Sequence, residues 1–213
     1  MKEKQRISMM REQWANREAK RPADDKQSAV LIPLIETKNG LEILFEMRAL
    51  DLVVQPGDIC LPGGRIETGE TSREAAIRET CEELLVQSAQ IQVLAPMDGV
   101  LGPAQTIIWP YLATLEGYHN TFSEAEVDHV FTIPLDWFLS QEPERHVSWM
   151  INQPEEDFPY ELIHGGKNYG FRKRPHEMLF YKHDHATIWG ATARIVNEFV
   201  LLYKKTFQPF SNG

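Results

Sequence analysis

The sequence predicts an α/β fold in which a mixed sheet lies between helices. Two amphipathic segments, one early and one late in the chain, have the periodicity of long helices. Short apolar runs before, between and after them have the character of strands. Mixed strands with one early and one late long helix favour a layered α/β sandwich.

The N-terminal part of the chain is predicted to form a separate helical segment. Residues 3–20 can form a polar helix with Trp14 on one side, and residues 22–25 read as a linker. The chain is therefore expected to divide into three parts: an N-terminal helical segment and linker at residues 1–26, the main domain at residues 27–207, and a C-terminal tail at residues 208–213.

The first two strands are predicted to form a hairpin. Residues 29–35 and 41–48 are rich in Val, Ile, Leu and Phe, and Lys38, Asn39 and Gly40 lie between them. Asn-Gly between two such runs is a strong signal for a tight turn.

A turn and a capping box mark the start of the early helix. The turn is Pro62-Gly63-Gly64, and Thr71 is followed three residues later by Glu74. A hydroxyl at the N-cap and a carboxylate three residues on can each accept a hydrogen bond from a free backbone N–H. The helix is therefore expected to begin near Thr71.

The remaining elements are predicted from apolar runs. Pro110, inside one of these runs, indicates an edge strand or a bulge. Thr187 is the expected N-cap of the late helix, whose apolar positions from Ile188 to Leu202 repeat at helical spacing. Further strands are expected at residues 91–94, 106–114, 127–133, 145–151 and 178–182, with a short helix at residues 134–139.

Composition restricts the function. The 213 residues are 42% hydrophobic and 25% charged, which is ordinary for a globular protein. The net charge of −9 argues against binding to nucleic acid or to an anionic membrane. No apolar run has transmembrane length, and no signal-peptide core follows the charged N-terminus. Cys60 and Cys81 do not make a disulfide framework, so the cytoplasm is the expected compartment.

The early helix is predicted to carry an acidic face. Glu79, Glu82 and Glu83 fall within one arc of roughly 100°. Three carboxylates this close repel one another unless a cation lies between them, and such oxygen ligands suit Mg²⁺ or Mn²⁺. The opposite, apolar arc is expected to face the core; its members are Ile77, Cys81, Leu84 and Leu85.

The spacing of the charged residues resembles the Nudix box, the signature of hydrolases that cleave a diphosphate linked to another group. Five residues separate Gly64 from Glu70, and seven separate Glu70 from Arg78. The helix residues Glu79, Glu82 and Glu83 then complete the pattern.

The resemblance implies a fold and a class of substrate. The expected fold is the Nudix α/β/α sandwich with a mixed sheet, and the expected substrate is a small-molecule nucleoside diphosphate derivative. Two positions depart from the family pattern: Leu85 stands where a glycine is usual, and Thr80 where an aliphatic residue is usual.

The residues before the box resemble an additional motif of coenzyme A pyrophosphatases. Arg48, Gly57 and the turn at residues 61–64 have its spacing, and the similarity covers about residues 28–202. Val53 stands where a second arginine is usual. This resemblance implies that the substrate is coenzyme A.

The mechanism implied by the resemblance is metal-assisted hydrolysis. Glu79 and Glu83 would bind the metal ion directly, with Glu82 sharing a second ion or its waters. The Gly64 carbonyl is an expected further ligand. The general base would be one of the glutamates, with Glu126 as a further candidate.

Other residues of the motif have expected roles outside the chemistry. Glu70 and Arg78 would brace the loop against the helix. Substrate contacts are expected from Arg48, Gly63, Lys167 and Arg172, although a basic cluster such as the one that holds the last two is more often a solvated loop.

Three functions remain open at this stage. The first is hydrolysis of coenzyme A or its derivatives to 3′,5′-ADP and 4′-phosphopantetheine. The second is hydrolysis of another nucleoside diphosphate derivative, such as ADP-ribose or a dinucleotide. The third is a Nudix-fold binding module without turnover, which the loss of a box carboxylate would favour, but all four are present. A homodimer is also expected, from the resemblance and from the apolar terminal segments, including Trp14 and residues 199–210.

Overall fold

The computed structural model describes residues 3–14, 26–102 and 106–207. The predicted linker at residues 22–25 and the tail at residues 208–213 lie outside them. The helices of the described ranges are α1 (Glu3–Trp14), α2 (Ser72–Leu84), α3 (Leu135–Ser140) and α4 (Gly190–Phe207). The strands are β1 (Gln27–Thr37), β2 (Gly40–Arg48), β3 (Ile59–Cys60), β4 (Gly63–Arg65), β5 (Ile91–Pro96), β6 (Val100–Leu101), β7 (Ile107–Leu115), β8 (Val127–Pro134), β9 (Glu144–Met150), β10 (Arg174–His183) and β11 (Ala186–Trp189).

Eight of these strands form one mixed sheet. Its main order is β3-β2-β1-β7-β5, in which β1 and β7 are parallel and the other neighbours are antiparallel. Strand β4 also pairs with β1, β6 with β7, and β8 with β2. Pro110 pairs with Val30 in the interior of this sheet, opposite the break between β5 and β6, so the predicted edge position is wrong.

Strands β9, β10 and β11 form a second, antiparallel sheet in the order β11-β10-β9. The chain passes from β11 directly into α4. The buried Tyr181 hydroxyl of β10 donates a hydrogen bond of 3.0 Å to the side-chain oxygen of Asn197 in α4. The second sheet and α4 are thus joined by a buried polar contact as well as by the chain.

Helices α2 and α4 pack on opposite faces of the main sheet. Alternate residues of β1 point to opposite faces. Ala29 and Leu31 pack against Ala75 and Ala76 of α2, whereas Ile32 belongs to the core cluster that holds the apolar residues of α4. This arrangement of helix, mixed sheet and helix confirms the predicted fold class. No helix in the described ranges combines the length and the apolar character needed to span a membrane.

Helix α2 begins where the sequence predicts. Thr71 is the N-cap, and both hydrogen bonds of the capping box with Glu74 are present. At the other end, the C-cap residue Leu85 is left-handed, with φ 53° and ψ 44°. This is the backbone conformation for which glycine is favoured at a helix end.

Of the predicted apolar face of α2, only Leu84 is buried. Ile77 and Cys81 are only partly buried, and Leu85 is 59% exposed. The small side chains of Ala75 and Ala76 pack against the main sheet. With these residues facing the sheet, Glu83 points into the interior. The buried residues of α2 are Ala75, Ala76, Thr80, Glu83 and Leu84.

The late helix begins three residues after its predicted N-cap. Thr187 and Ile188 belong to β11, where they pair with β10. β-Branched residues suit a strand, which explains why the local sequence favours this outcome. Gly190 then turns the chain into α4 with φ 65°, a value that glycine adopts at little cost.

Candidate active site

The turn before the box brings the backbone into contact with two carboxylates of α2. A Cβ at Gly64 would lie 2.3 Å from the carboxylate carbon of Glu79. A Cβ at Gly63, where φ is 147°, would lie 2.2 Å from the carbonyl oxygen of Ala29. The Gly63 N–H donates a hydrogen bond of 2.7 Å to the Glu83 carboxylate. Gly63 therefore requires glycine, because a side chain would push the turn away from the backbone of β1, whereas a side chain at Gly64 would displace the carboxylate of Glu79.

Two carboxylates of this region are buried. Glu83 is 3% exposed, and Glu46 in β2 is 1% exposed. Because side chains alternate along a strand, Glu46 lies on the same face of β2 as Leu44. Leu44 packs against Leu84 of α2. Glu46 is therefore on the face of the sheet that meets the box helix.

Glu46 has one weak partner and one free oxygen. The Cys60 thiol donates a hydrogen bond of 3.2 Å to Oε1, and Oε2 has no hydrogen-bond partner among the described residues. Burial raises the pKa of Glu46 to about 7, and the nearby carboxylates of Glu126 and Glu79 act in the same direction. A buried, partnerless oxygen among several acids is a place where a cation would be favoured.

The electrostatics of Glu83 are similar. Burial raises its pKa to about 9, and repulsion from Glu46 adds to the effect, while the hydrogen bond from Gly63 opposes it. Burial also raises the pKa of Glu79, more than the adjacent Arg78 lowers it. Without a cation, this region therefore favours protonated carboxyl groups.

Sequence reasoning missed Glu46. Its signal is present in the sequence: a single carboxylate in the apolar run from residue 43 to residue 47 of a predicted strand. A charged residue on the buried face of a strand requires a partner, and that requirement marks a functional position.

Arg78 connects the outer side of α2 to the loop before it. Its guanidinium makes two hydrogen bonds to the Glu70 carboxylate, of 2.8 and 3.2 Å, and donates to the Arg65 carbonyl at 3.1 Å. It also forms ion pairs with Glu79 at 3.0 Å and Glu82 at 3.3 Å. The hydrogen bond from Arg78 is the main reason why the pKa of Glu70 is lowered. The structure thus places Arg78 and Glu70 in the contact that bracing requires.

The loop that carries Glu126 is tied to the end of α2. The Ser123 N–H donates to the Glu83 carbonyl at 2.7 Å, and the Thr121 hydroxyl donates to the Leu84 carbonyl at 2.7 Å. The Glu126 carbonyl accepts a hydrogen bond of 2.9 Å from the Ala49 N–H, next to the end of β2. The exposed Glu126 side chain is therefore held close to the box from a separate loop.

Glu79, Glu82 and Glu83, which were predicted to share one acidic face of α2, do not share an exposed face. Glu83 points inward, Glu79 is partly buried against Gly64, and the Glu82 side chain is 55% exposed. Within the described ranges no three His, Cys, Asp or Glu side chains form a ready cluster for a metal ion. The donor set nevertheless fits one: Glu79 and Glu83 flank the same turn, Glu46 has a free buried oxygen, and carboxylate and carbonyl oxygens suit Mg²⁺ or Mn²⁺.

The predicted substrate residues separate into two groups. Arg48 and Gly63 line a cavity of about 420 Å³ beside the box. Lys167 and Arg172 are exposed between β9 and β10 and do not line it. Arg194 of α4, which sequence reasoning did not select, does line it, and its Nη2 donates a hydrogen bond of 2.7 Å to the Glu177 carbonyl.

The chain is similar to several curated Nudix proteins. It is 34% identical to Nudix hydrolase 3 of Caenorhabditis elegans over 53% of this chain and 49% of that protein. It is 31% identical to the peroxisomal coenzyme A diphosphatase NUDT7 of Mus musculus over 61% of this chain and 55% of that protein. Both alignments span about half of the relative's length. A further relative, the uncharacterized Nudix hydrolase NudL of Escherichia fergusonii, is 30% identical over 92% of this chain and 90% of its own length.

Comparison with family models and solved structures agrees with the observed fold. A MutT/nudix family protein from Enterococcus faecalis superposes with a TM-score of 0.50 at 16% identity, covering 93% of this chain and 70% of that one. At this identity the likeness concerns the fold alone. The model of the NUDIX domain matches residues 25–153, which include the turn, the box and the loop that carries Glu126. The chain therefore belongs to the Nudix hydrolase family.

Proposed function

We propose that this Nudix hydrolase cleaves the diphosphate bond of coenzyme A or its derivatives. The products are 3′,5′-ADP and 4′-phosphopantetheine, or its acyl form. The observation that carries the proposal is the motif of Arg48, Gly57 and the Pro-Gly-Gly turn at the expected spacing before the box. The similarity to a mouse coenzyme A diphosphatase supports it.

The motif residues lie together in the fold. The Arg48 N–H donates to the Asp58 carbonyl at 2.9 Å, and the Gly57 N–H donates to the Arg48 carbonyl at 3.1 Å. Gly57 has φ 72°, which glycine adopts readily, and so it can turn the chain back onto Arg48. The motif therefore builds a closed loop that holds Arg48 at the wall of the cavity.

Glu79, Glu83 and the Gly64 carbonyl are the groups proposed to hold Mg²⁺ or Mn²⁺, with Glu82 contacting a second ion or bound waters. Glu46 is added to this set because of its free buried oxygen. When bound, such an ion neutralises diphosphate oxygens and lowers the pKa of an attacking water. Glu126 remains the proposed alternative to a helix glutamate as general base.

The protein's own cations are proposed to orient the substrate. The 3′-phosphate of coenzyme A is strongly anionic, and a chain with a net charge of −9 must supply local positive charge for it. Arg48 and Arg194 line the cavity beside the box and are proposed to contact the diphosphate, whereas the exposed Lys167 and Arg172 lie outside the cavity and are the proposed contacts of the 3′-phosphate. Arg78 already has several carboxylate partners and is proposed to act only in bracing.

The test is a product-resolved assay of kcat/KM with coenzyme A, dephospho-coenzyme A, ADP-ribose and NADH under identical metal conditions. We expect coenzyme A to be the best of these, and the loss of its 3′-phosphate to lower kcat/KM by about 10- to 150-fold. A preference of about tenfold or more for ADP-ribose or NADH would favour the second function considered above. No turnover of any compound, with binding retained, would favour the binding module.

The oligomeric state, the compartment and the domain boundaries stay predictions. Sedimentation at micromolar concentration would show a dimer if the expected association of the terminal segments occurs. A single monomeric species would contradict it.

A further inference from the structure

The cavity beside the box is formed between the two sheets. One wall consists of β1, β6 and β7 residues of the main sheet, and a second comes from β3 and the loop before it. The third wall is supplied by the second sheet and the first turns of α4. Gly63 and Cys60 belong both to this cavity and to the surroundings of the buried carboxylates. A substrate cleaved at the box can therefore extend directly into the cavity.

The lining of the cavity is mainly apolar. Its polar groups come from two places: Arg48, Gln55 and Asp58 at the motif loop, and His176, Glu177, Thr192 and Arg194 on β10 and α4. Three large apolar side chains of the lining, Leu101, Met150 and Trp189, are 53%, 42% and 40% exposed. Large apolar side chains left in contact with water at a concave surface mark a binding site. The remaining apolar lining consists of Val30, Ile59, Leu61, Ile108, Met178, Ala191 and Ile195.

Except for Met150 of β9, the third wall lies outside the part of the chain that matches the family model. That model ends at residue 153, whereas Met178, Trp189, Ala191 and Ile195 come after it. The catalytic residues and the selective wall thus come from different parts of the chain. A wall that the general Nudix region does not supply is suited to distinguishing one Nudix substrate from another.

We propose that this cavity binds the part of the substrate that is attached to the diphosphate on the side away from the nucleoside. The cavity selects a long, mostly apolar, amide-linked chain that ends in a thiol or thioester. This inference rests on the proposed function. Such an arm has few charges and many methylene groups, which match a mainly apolar lining, and its amides can use the few polar groups of that lining. A second sugar, as in ADP-ribose, is shorter and more polar and would leave much of this apolar lining uncovered.

The discriminating variant is Ala191→Phe, which places a large side chain in the cavity at the start of α4. Its kcat/KM with coenzyme A and hexanoyl-coenzyme A should fall by about tenfold or more, and with ADP-ribose should change by less than about threefold. Glu198→Phe is the matched control, because Glu198 is exposed on the same helix and does not line the cavity. It should leave all three values near those of the wild type.

The outcomes separate the two proposals. If the wild type does not cleave coenzyme A, the proposed function fails. If the wild type cleaves it but Ala191→Phe affects coenzyme A and ADP-ribose equally, or affects neither, the function stands and the cavity assignment is overturned.

A second measurement does not depend on a folded variant. In the wild-type protein, 4′-phosphopantetheine with Mg²⁺ should slow amide hydrogen exchange in residues 174–195, whereas ADP with Mg²⁺ should not. Equal protection by the two compounds, or none by the first, would also overturn the assignment.

Discussion

The carboxylate of Glu83 accepts a hydrogen bond of 2.7 Å from the backbone N–H of Gly63. This bond joins the box helix to the turn that precedes it. Because Gly63 also lines the cavity beside the box, the same bond fixes the position of a proposed metal-binding carboxylate relative to that cavity.

Glu83→Gln should remove metal-dependent activity while keeping the fold. The amide oxygen can still accept the bond from Gly63, but the charge is lost. We expect kcat to fall by about 100-fold or more, because metal catalysis supplies several kcal/mol. Glu116→Gln changes an exposed carboxylate and is the control; this variant should keep the activity of the wild type. Wild-type turnover that persists after exhaustive chelation would contradict the metal mechanism.

Arg78→Ala should destabilise the protein as well as reduce activity. The substitution removes the contacts to Glu70 and to the Arg65 carbonyl that hold the loop before α2. We expect Tm to fall by roughly 2–4 °C. Arg73→Ala, an exposed change on the same helix, should have a smaller effect. Activity lost without any change in Tm or in Mn²⁺ affinity would argue against a bracing role.

The metal-free protein should become less stable as pH rises from about 5 to about 8. The folded-state pKa of Glu46 is raised from 4.5 to about 7. The folded state therefore binds the proton more tightly than the unfolded state, and this stabilisation is lost as pH rises through the folded pKa. Each unit of difference corresponds to at most about 1.4 kcal/mol. The measurement is Tm against pH in the presence of a chelator.

Glu46→Gln should make this dependence of Tm on pH shallower, because it removes one of the two buried carboxyl groups whose pKa is raised. Glu36→Gln changes an exposed carboxylate of the neighbouring strand β1 and should leave the slope as it is. Divalent metal should stabilise the wild type more at pH 8 than at pH 5, since the ion binds the ionised carboxylates. A slope that is identical in the wild type and in Glu46→Gln would contradict the assignment.

Leu85→Gly should stabilise the protein. Leu85 is left-handed at the end of α2 and largely exposed, so the strain of its backbone exceeds the packing it contributes. Glycine relieves that strain but has a greater conformational entropy in the unfolded chain. The net gain in the free energy of unfolding should be up to about 1 kcal/mol. Equilibrium unfolding in urea measures it. Leu94→Gly, in a strand, is the control and should destabilise; a loss of stability in Leu85→Gly would show that its side chain packs usefully.

The sequence predicted the features that depend on local chemistry. Thr71 and Glu74 sit three residues apart and can form their capping box within one turn, so the helix start was correct. The tight turn at residues 38 and 39 also depends only on neighbouring residues, and it too was predicted correctly. Gly40 pairs with Thr37 across the hairpin. The offsets of the box residues likewise indicated the family that the domain comparison then showed.

Features that depend on packing were not predictable in this way. Helical periodicity assigned Glu83 to an outer acidic face, but the alanines of α2 pack on β1 and turn Glu83 inward. Glu46 is 37 positions away from Glu83 in the chain, and only the pairing of β2 with its neighbours brings it to the face that meets α2. The cavity joins residues from both ends of the domain, so no local pattern indicates it.

The close approach at Gly63 and Gly64 limits how this gene can change. Glycine alone among the amino acids lacks a Cβ, so every missense mutation in either codon adds an atom where β1 or Glu79 already stands. At other positions a side chain can grow in small steps, for example from alanine through valine to isoleucine. At these two positions the first step already adds the Cβ that clashes. A change at Gly63 would require the backbone of β1 to move, and a change at Gly64 would require the Glu79 carboxylate to move, so the first is limited by the core and the second by the proposed metal site.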